Sequence, residues 1–439
     1  MSLSRKAVGL LLIAAGAIAA GAYVLDVQQS NRVGDFASTP RAAPAQASIP
    51  IPRPALPAAH PPIAAARPQA GAEAREGRVQ VDPTRAYTHF RVGNNSVMAI
   101  YADETVMWLG TSGGMVRYDT VTREFKTYDA RNGPRSNGIL HLGKLRGKIS
   151  VGTYGGGLSL FNQDAQEWEH YGVTEGLGDA YVYDLLEASS ADVWIATGSG
   201  VSRIRGGAMK ERAKWDLYTV ESTGGGLPHN RVYRIVEGKD GSVWFATRGG
   251  VANFRNGKWK NWTHAKGLGA PREGASDGDP TRGQAQDTGQ ARDARGAGAK
   301  LAFNPNHIAA LEVGEDGGVW AGSRGAGLAR FDGKAWRNYT VAEGLPSNQI
   351  SALNFDRKGR LWIGTKNGLA VFNKGKFQVM TTAHGLLAET VYSVTTTKDG
   401  GVWVGSFGGV AHIRQPASKQ HFLSPPAPID ASLTAPQSL

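Results

Sequence analysis

The sequence predicts an all-β protein, a single seven-bladed β-propeller. Three observations carry this. Glycine makes up 59 of 439 residues, roughly twice ordinary usage. Eleven tryptophans occur with no cysteine. One pattern also recurs seven times at intervals close to the ~43 residues of a four-stranded blade.

The pattern starts at Trp108 as WLGTSGGMVRY and returns from Ser150 as SVGTYGGGLSLF. It follows as WIATGSGVSRI from Trp194, WFATRGGVANF from Trp244 and WAGSRGAGLARF from Trp320. The last two copies are WIGTKNGLAVF from Trp362 and WVGSFGGVAHI from Trp403. The starts lie 42, 44, 50, 76, 42 and 41 residues apart. Six copies open on an aromatic able to fill the space between sheets; Ser150 is the exception. Two residues later stands Gly or Ala, as at Gly110, Gly152, Ala196 and Ala246, small enough for neighbouring sheets to approach closely. Then comes Thr or Ser, whose hydroxyl can cap the next turn. A glycine follows where a tight hairpin needs positive φ.

The flanks complete four strands per unit. A turn such as Lys239–Gly241 precedes the tryptophan, with an apolar run such as VYRIV before it. After the glycine strand, a second turn leads to aromatics three apart, as in Trp259/Trp262 and Trp336/Tyr339. The seventh repeat, from Val391, supplies only three strands. Tyr87–Phe90 carries the missing fourth pattern, so an N-terminal strand is expected to complete the last blade and remove an exposed edge.

Four further segments surround or interrupt this domain of residues 85–414. Residues 1–26 hold Arg5 and Lys6 before an uncharged stretch, Ala7–Leu25, about as long as the ~20 residues that span a bilayer. This predicts a membrane helix or a signal peptide, with Ala20–Ala22 as a candidate cleavage site and the remaining chain outside the cytoplasm. Residues 27–84 are Ala/Pro-rich and read as a disordered, extended linker. Residues 268–303 carry five basic and five acidic side chains and almost no apolar ones, which predicts a disordered insertion. The tail, 415–439, reads as disordered too. The net charge of +12 is dispersed, with no basic run of the kind that binds nucleic acid.

The repeats GLPSNQISALNFDRKGRLWIGTKNGLAVF (Gly344–Phe372) and GLPHNRVYRIVEGKDGSVWFATRGGVANF (Gly226–Phe254) resemble the two-component regulator propeller repeat of bacterial sensor proteins. The resemblance covers residues 85–414. It implies an extracytoplasmic ligand-sensing module, some of whose relatives sense carbohydrates. The plan departs from that family's in having one ring and no fused kinase, so a separate membrane or signalling partner is expected.

A propeller carries its between-blade loops and the turns after its second strands on one face. Asn95, Asn137, Asn230, Asn306 and Asn348 recur in the first of these, with Ala180 and Glu389 in the other two repeats; turn capping accounts for such asparagines. Two neighbouring positions vary on this fixed frame, which is where function is grafted onto a fold. One holds Arg231 and His307, the other Arg248, Arg324 and Lys366. These five are the expected ligand-binding residues, suited to carboxylate, sulfate or phosphate. No catalytic residue, metal site or cofactor is expected. Ten scattered histidines form no metal-binding pair, and no Gly-x-Ser-x-Gly elbow occurs. The resulting reading is a non-enzymatic periplasmic sensor of a small anionic or carbohydrate ligand, attached to the inner membrane through its N-terminus or secreted. An envelope scaffold that binds a protein partner is the alternative. A streptogramin-lyase-like enzyme, with His307 or His229 as general base, is a remote one.

Overall fold

A computed structural model describes residues 76–81, 87–270, 304–414 and 430–432. These residues form an all-β structure with the sheet arrangement of a propeller. Helix is confined, among the described residues, to five three-residue 3-10 turns. None is long and apolar enough to cross a membrane; the expected membrane or signal segment, 1–26, lies outside the described residues.

Five sheets have four antiparallel strands each, every strand paired with the next in sequence. The first of these runs Ile139–Leu145, Lys148–Thr153, Leu158–Asn162 and Glu167–Tyr171. The sixth sheet has eight strands because Tyr87–Asp103 serves two groups. Its first part pairs with Val402–Ile413, from Tyr87 opposite Ile413 to Arg91 opposite Gly409. Its second part pairs with Val106–Thr111, from Val97 opposite Thr111 to Asp103 opposite Val106. The expected N-terminal strand therefore does lie on the seventh repeat.

The repeat positions have the physical roles their residue types imply. Thr111, Thr153, Thr197, Thr247, Ser323 and Thr365 each donate their hydroxyl to the carbonyl of the hairpin glycine, at 2.7–2.9 Å. A Cβ on Gly110 would stand 2.6 Å from Ile139 Cγ2, and one on Gly364 2.7 Å from Val391 Cγ1. Those contacts leave no room for a side chain at these two glycines. Trp108, Trp194, Trp362 and Trp403 are at most 1% exposed. The buried side chains form seven clusters, each spanning two successive repeats. One joins the seventh repeat to the first through Phe90, Trp403, Met107 and Leu109.

Three boundaries differ from expectation. Within the linker, Glu76–Arg78 pairs antiparallel with Glu124–Tyr128, and Val79 is buried behind it. Within the tail, Asp430–Ser432 pairs in parallel with His89–Arg91. Both additions use backbone hydrogen bonds on an outer edge, which composition does not register. Leu268, assigned to the disordered insertion, is fully buried in the core, and Gly269 donates its N–H to Asn338 Oδ1. The rest of the insertion, from residue 271, lies outside the described residues.

Candidate functional site

The first strand of each repeat is the one that lines an axial cavity of about 230 Å³. A β-bulge follows the buried Val or Ile that opens each of these strands. The next residue lies in the cavity wall in all seven repeats: Met98, Leu140, Tyr183, Tyr233, Ala309, Ser351 and Tyr392. Tyr183 and Tyr233 meet edge to face, 5.3 Å between centroids. A wider cleft beside Trp259 and the Gly224–Gly226 loop is open to solvent; only the axial cavity draws residues from every repeat.

The two variable positions turn out to be neighbours. Arg248 N–H donates to the Arg231 carbonyl, Arg324 N–H to that of His307, and Lys366 N–H to that of Gln349, at 2.8–3.1 Å. Tyr154 and Gly138 pair in the same way, as do Gly198 and Tyr181. Bridges Tyr154–Tyr181 and Arg324–Gln349 then link one repeat to the next around the mouth. The adjacent asparagines are turn caps. Asn137, Asn230, Asn306 and Asn348 each accept a backbone N–H through Oδ1, and Glu389 does so through Oε1.

Of the five expected binding residues, four gather around Tyr233. The His307 ring stacks on it at 4.9 Å and 18°. Burial raises its phenol pKa, against which Arg231, Arg248 and Arg324 all pull. Arg324 lines the cavity. It is open to the water of the channel yet crowded by protein, so desolvation lowers its pKa while Tyr233 and Tyr392 counteract. Arg231 is buried at 9% exposure; its guanidinium hydrogen-bonds the Tyr233 hydroxyl, which works to lower that phenol's pKa, and its Nε has no hydrogen-bond partner. Buried polar atoms of this kind ordinarily find partners. Of the five, Arg324 alone lies in the cavity wall; Arg231, Arg248 and His307 act on Tyr233 from beside it, and Lys366 is exposed and takes no part in that group.

Two residues of the wall, His141 and Arg234, belong to a polar network that the repeat pattern does not announce. His141, Asp184 and Arg234 occupy one strand position in three successive repeats. His141 Nδ1 lies 2.8 Å from Asp184 Oδ1, and Nε2 lies 3.2 Å from Ser150 Oγ. Ser150, the one repeat without its aromatic, thereby leaves room for an imidazole and gives it a partner. Asp184 also accepts the Ile235 N–H at 2.8 Å and lies 3.6 Å from Arg234. Burial works against its charge, but Arg234, His141 and that N–H together hold its pKa below the usual value. Glu312 has no ion-pair partner among the described residues. Burial pushes its pKa up to about 7, opposed by Arg234 and the Val313 N–H and reinforced by Asp184. Burial likewise pushes the Tyr183 phenol up to about 12, so it stays a neutral hydrogen-bond donor. Among the described residues no cluster of His, Asp and Glu has the grouping that would hold a metal ion.

The fold recurs in several solved structures. An extracellular domain of the BT3049 protein of B. thetaiotaomicron, described as a hybrid two component system, is 18% identical with a TM-score of 0.56 over 75% of this chain and 42% of that one. Virginiamycin B lyase from Staphylococcus aureus is 12% identical with a TM-score of 0.51, over 77% of this chain and 99% of the lyase. YCF48 from Cyanidioschyzon merolae is 10% identical with a TM-score of 0.51, over 76% and 100%. This chain thus spans less than half the length of the B. thetaiotaomicron domain. No curated protein matches it in sequence. The model of the two component regulator propeller matches residues 226–249 and 344–367, and at these two places the chain carries that family's repeat.

Proposed function

We propose that the chain is a seven-bladed propeller that acts outside the cytoplasm as a non-enzymatic sensor, binding a small anionic ligand in its axial channel. Each half of the eight-stranded sheet counts as one blade, which brings five to seven, and seven inter-repeat clusters support that count. The observation that carries the function is the convergence of Arg231, Arg248, His307 and Arg324 on Tyr233 at the cavity. Arginines next to aromatic faces suit a carboxylate, sulfate or phosphate on a compact body such as a sugar ring. A cavity of about 230 Å³ is smaller than the ~300–1,000 Å³ that drug-sized ligands occupy. The ligand is therefore a monomer or a chain end, not a buried polymer. The repeat match and the sensor-domain neighbour support an extracytoplasmic role, with a separate partner carrying the signal onward.

Thermal-shift screening of the full chain against sugar acids, carboxylic acids and inorganic anions tests this reading. Stabilisation that disappears in Arg324→Gln supports it; no stabilisation by any anion contradicts it.

A lyase would need a His–carboxylate pair at the channel, and His141–Asp184 is such a pair. Both imidazole nitrogens are already engaged, however, one of them by Ser150, which is fully buried. A general base needs a nitrogen within reach of the substrate proton, so the pair fits a role in the wall better than one in catalysis.

A further inference from the structure

The channel has two unlike sides. The residue after the capping Thr or Ser is Arg248, Arg324 and Lys366 in the fourth, fifth and sixth repeats. In the seventh, first, second and third it is Phe407, Ser112, Tyr154 and Gly198, none of them charged. Phe407 and Tyr154 are 53% and 43% exposed, and Tyr154 meets Tyr181 edge to face at 4.7 Å. The wall of the axial cavity divides in the same sense. Its two arginines, Arg234 and Arg324, come from the fourth and fifth repeats, whereas Met98, Ile100, Leu140 and Leu142 come from the first and second. In a closed ring of seven blades these two pairs of repeats stand on opposite sides of the axis. No Asp or Glu lines the cavity, and Arg324 forms no ion pair among the described residues. Arg234 lies 3.6 Å from Asp184, whose nearer partner is His141 at 2.8 Å.

The small polar groups of the wall are already engaged. The Ser351 hydroxyl is held between the carbonyls of Gly364 and Val391, at 3.0 and 2.5 Å, and the Ser393 hydroxyl donates to that of Val97 at 3.0 Å. His141 is held at both nitrogens. The aliphatic side chains opposite the arginines have no donor, and no acceptor stronger than a thioether. A sugar hydroxyl moved against them from water leaves a hydrogen bond behind; an apolar surface moved there gains by shedding water. Resting on the anion-site reading above, we propose that the ligand is a compact carboxylic acid with an apolar ring or branched body, its carboxylate on Arg324 and its body against Met98 and Leu140. The arginine supplies a directional, charge-assisted contact. The aliphatic side supplies shape and excludes a polyhydroxylated acid of the same size. Tyr154 and Phe407 carry the same polarity out to the rim.

Isothermal titration of the full chain separates the alternatives. Cyclohexanecarboxylate and benzoate are compared with quinate, which bears hydroxyls on the same saturated ring, with galacturonate, and with the neutral cyclohexanecarboxamide. At least one apolar acid is expected to bind at least about ten-fold tighter than quinate and galacturonate, because unpaired hydroxyls lose affinity on burial. It should also exceed the amide by at least about ten-fold, because the amide forms no charge-assisted bond. Met98→Gln and Leu140→Gln, each checked for folding by circular dichroism, are expected to weaken the apolar acid and narrow its advantage over quinate. Arg324→Gln is expected to weaken every acid. If quinate or galacturonate binds as tightly as the apolar acids, or inorganic anions alone bind, the apolar-body assignment is overturned while the anion site stands. An advantage unchanged in both Met98→Gln and Leu140→Gln overturns it equally. If acids bind but Arg324→Gln weakens none, or no anion binds at all, the anion site itself is wrong and the assignment falls with it.

Discussion

Phe90→Ala tests whether the N-terminal strand holds the propeller closed. Phe90 is 1% exposed. Its ring stacks on Trp403 at 5.1 Å and 22° and leans on Tyr118 at 4.9 Å. The truncation removes a ring that lies between the seventh repeat and the first. Phe→Ala in a core costs about 3–5 kcal/mol, and the two lost aromatic contacts place this site toward the upper end. At ~2.1 cal/mol/K per residue, roughly 300 ordered residues unfold with an entropy of about 0.6 kcal/mol/K. The midpoint should therefore fall by about 5–8 °C in differential scanning calorimetry. Leu217→Ala, at a residue 44% exposed in another sheet, is the control and should shift it far less. Equal shifts for the two variants would refute closure by this strand.

Four other outcomes are expected. Gly364→Ala puts a Cβ 2.7 Å from Val391 and 3.2 Å from Ala352 Cβ; overpacking of this kind costs about 1–3 kcal/mol, readable as a lower urea midpoint. Asp184→Ala leaves His141 and Arg234 without their shared carboxylate, a loss that typically costs ~3–5 kcal/mol for a buried pair and is measurable by denaturant titration. In the intact protein the depressed pKa of Asp184 gives stability that is present above the unfolded carboxylate pKa and lost as pH falls through the lower folded value. For Glu312 the sign reverses: its folded pKa of about 7 lies above the unfolded value of 4.5, so stability drains away as pH rises between them. Glu312→Gln should then melt higher than the parent at pH 8, with the gap closing at pH 5. His412 is held down to about pKa 4, chiefly by burial and then by Arg414, where its ring stacks on Trp403 at 4.3 Å. Its stabilising contribution is complete above pH 6.5 and lost as pH falls toward 4, so His412→Phe should flatten the melting profile over that window.

The frame of this molecule was legible because each repeat position does one local job. Thr111 and its counterparts cap a hairpin three or four residues away, and Asn348 caps a turn seven residues back. Such contacts lie within the repeat that encodes them. The same locality made Arg248 beside Arg231 foreseeable as a shared face. The wall of the channel was harder to read. His141, Asp184 and Arg234 are 43 and 50 residues apart and meet only once successive strands are placed in register. Ser150, the missing aromatic, was the visible trace of that network. The dipeptide Val-Tyr at 182–183, 232–233 and 391–392 was a second trace, since the bulge turns each of these tyrosines toward the axis. Glu76–Arg78 and Asp430–Ser432 left no trace, because a strand added to an edge is held by its backbone and requires no particular side chain.

The most direct test of the channel as a binding site is calorimetric titration of a stabilising anion into the parent protein and into Arg231→Gln/Arg248→Gln/Arg324→Gln. Saturable one-to-one binding by the parent is expected, with at least a hundred-fold loss in the triple variant while its melting midpoint in the absence of ligand stays within a few degrees. Undiminished binding by the triple variant would place the ligand elsewhere on the molecule and contradict a site at the channel mouth.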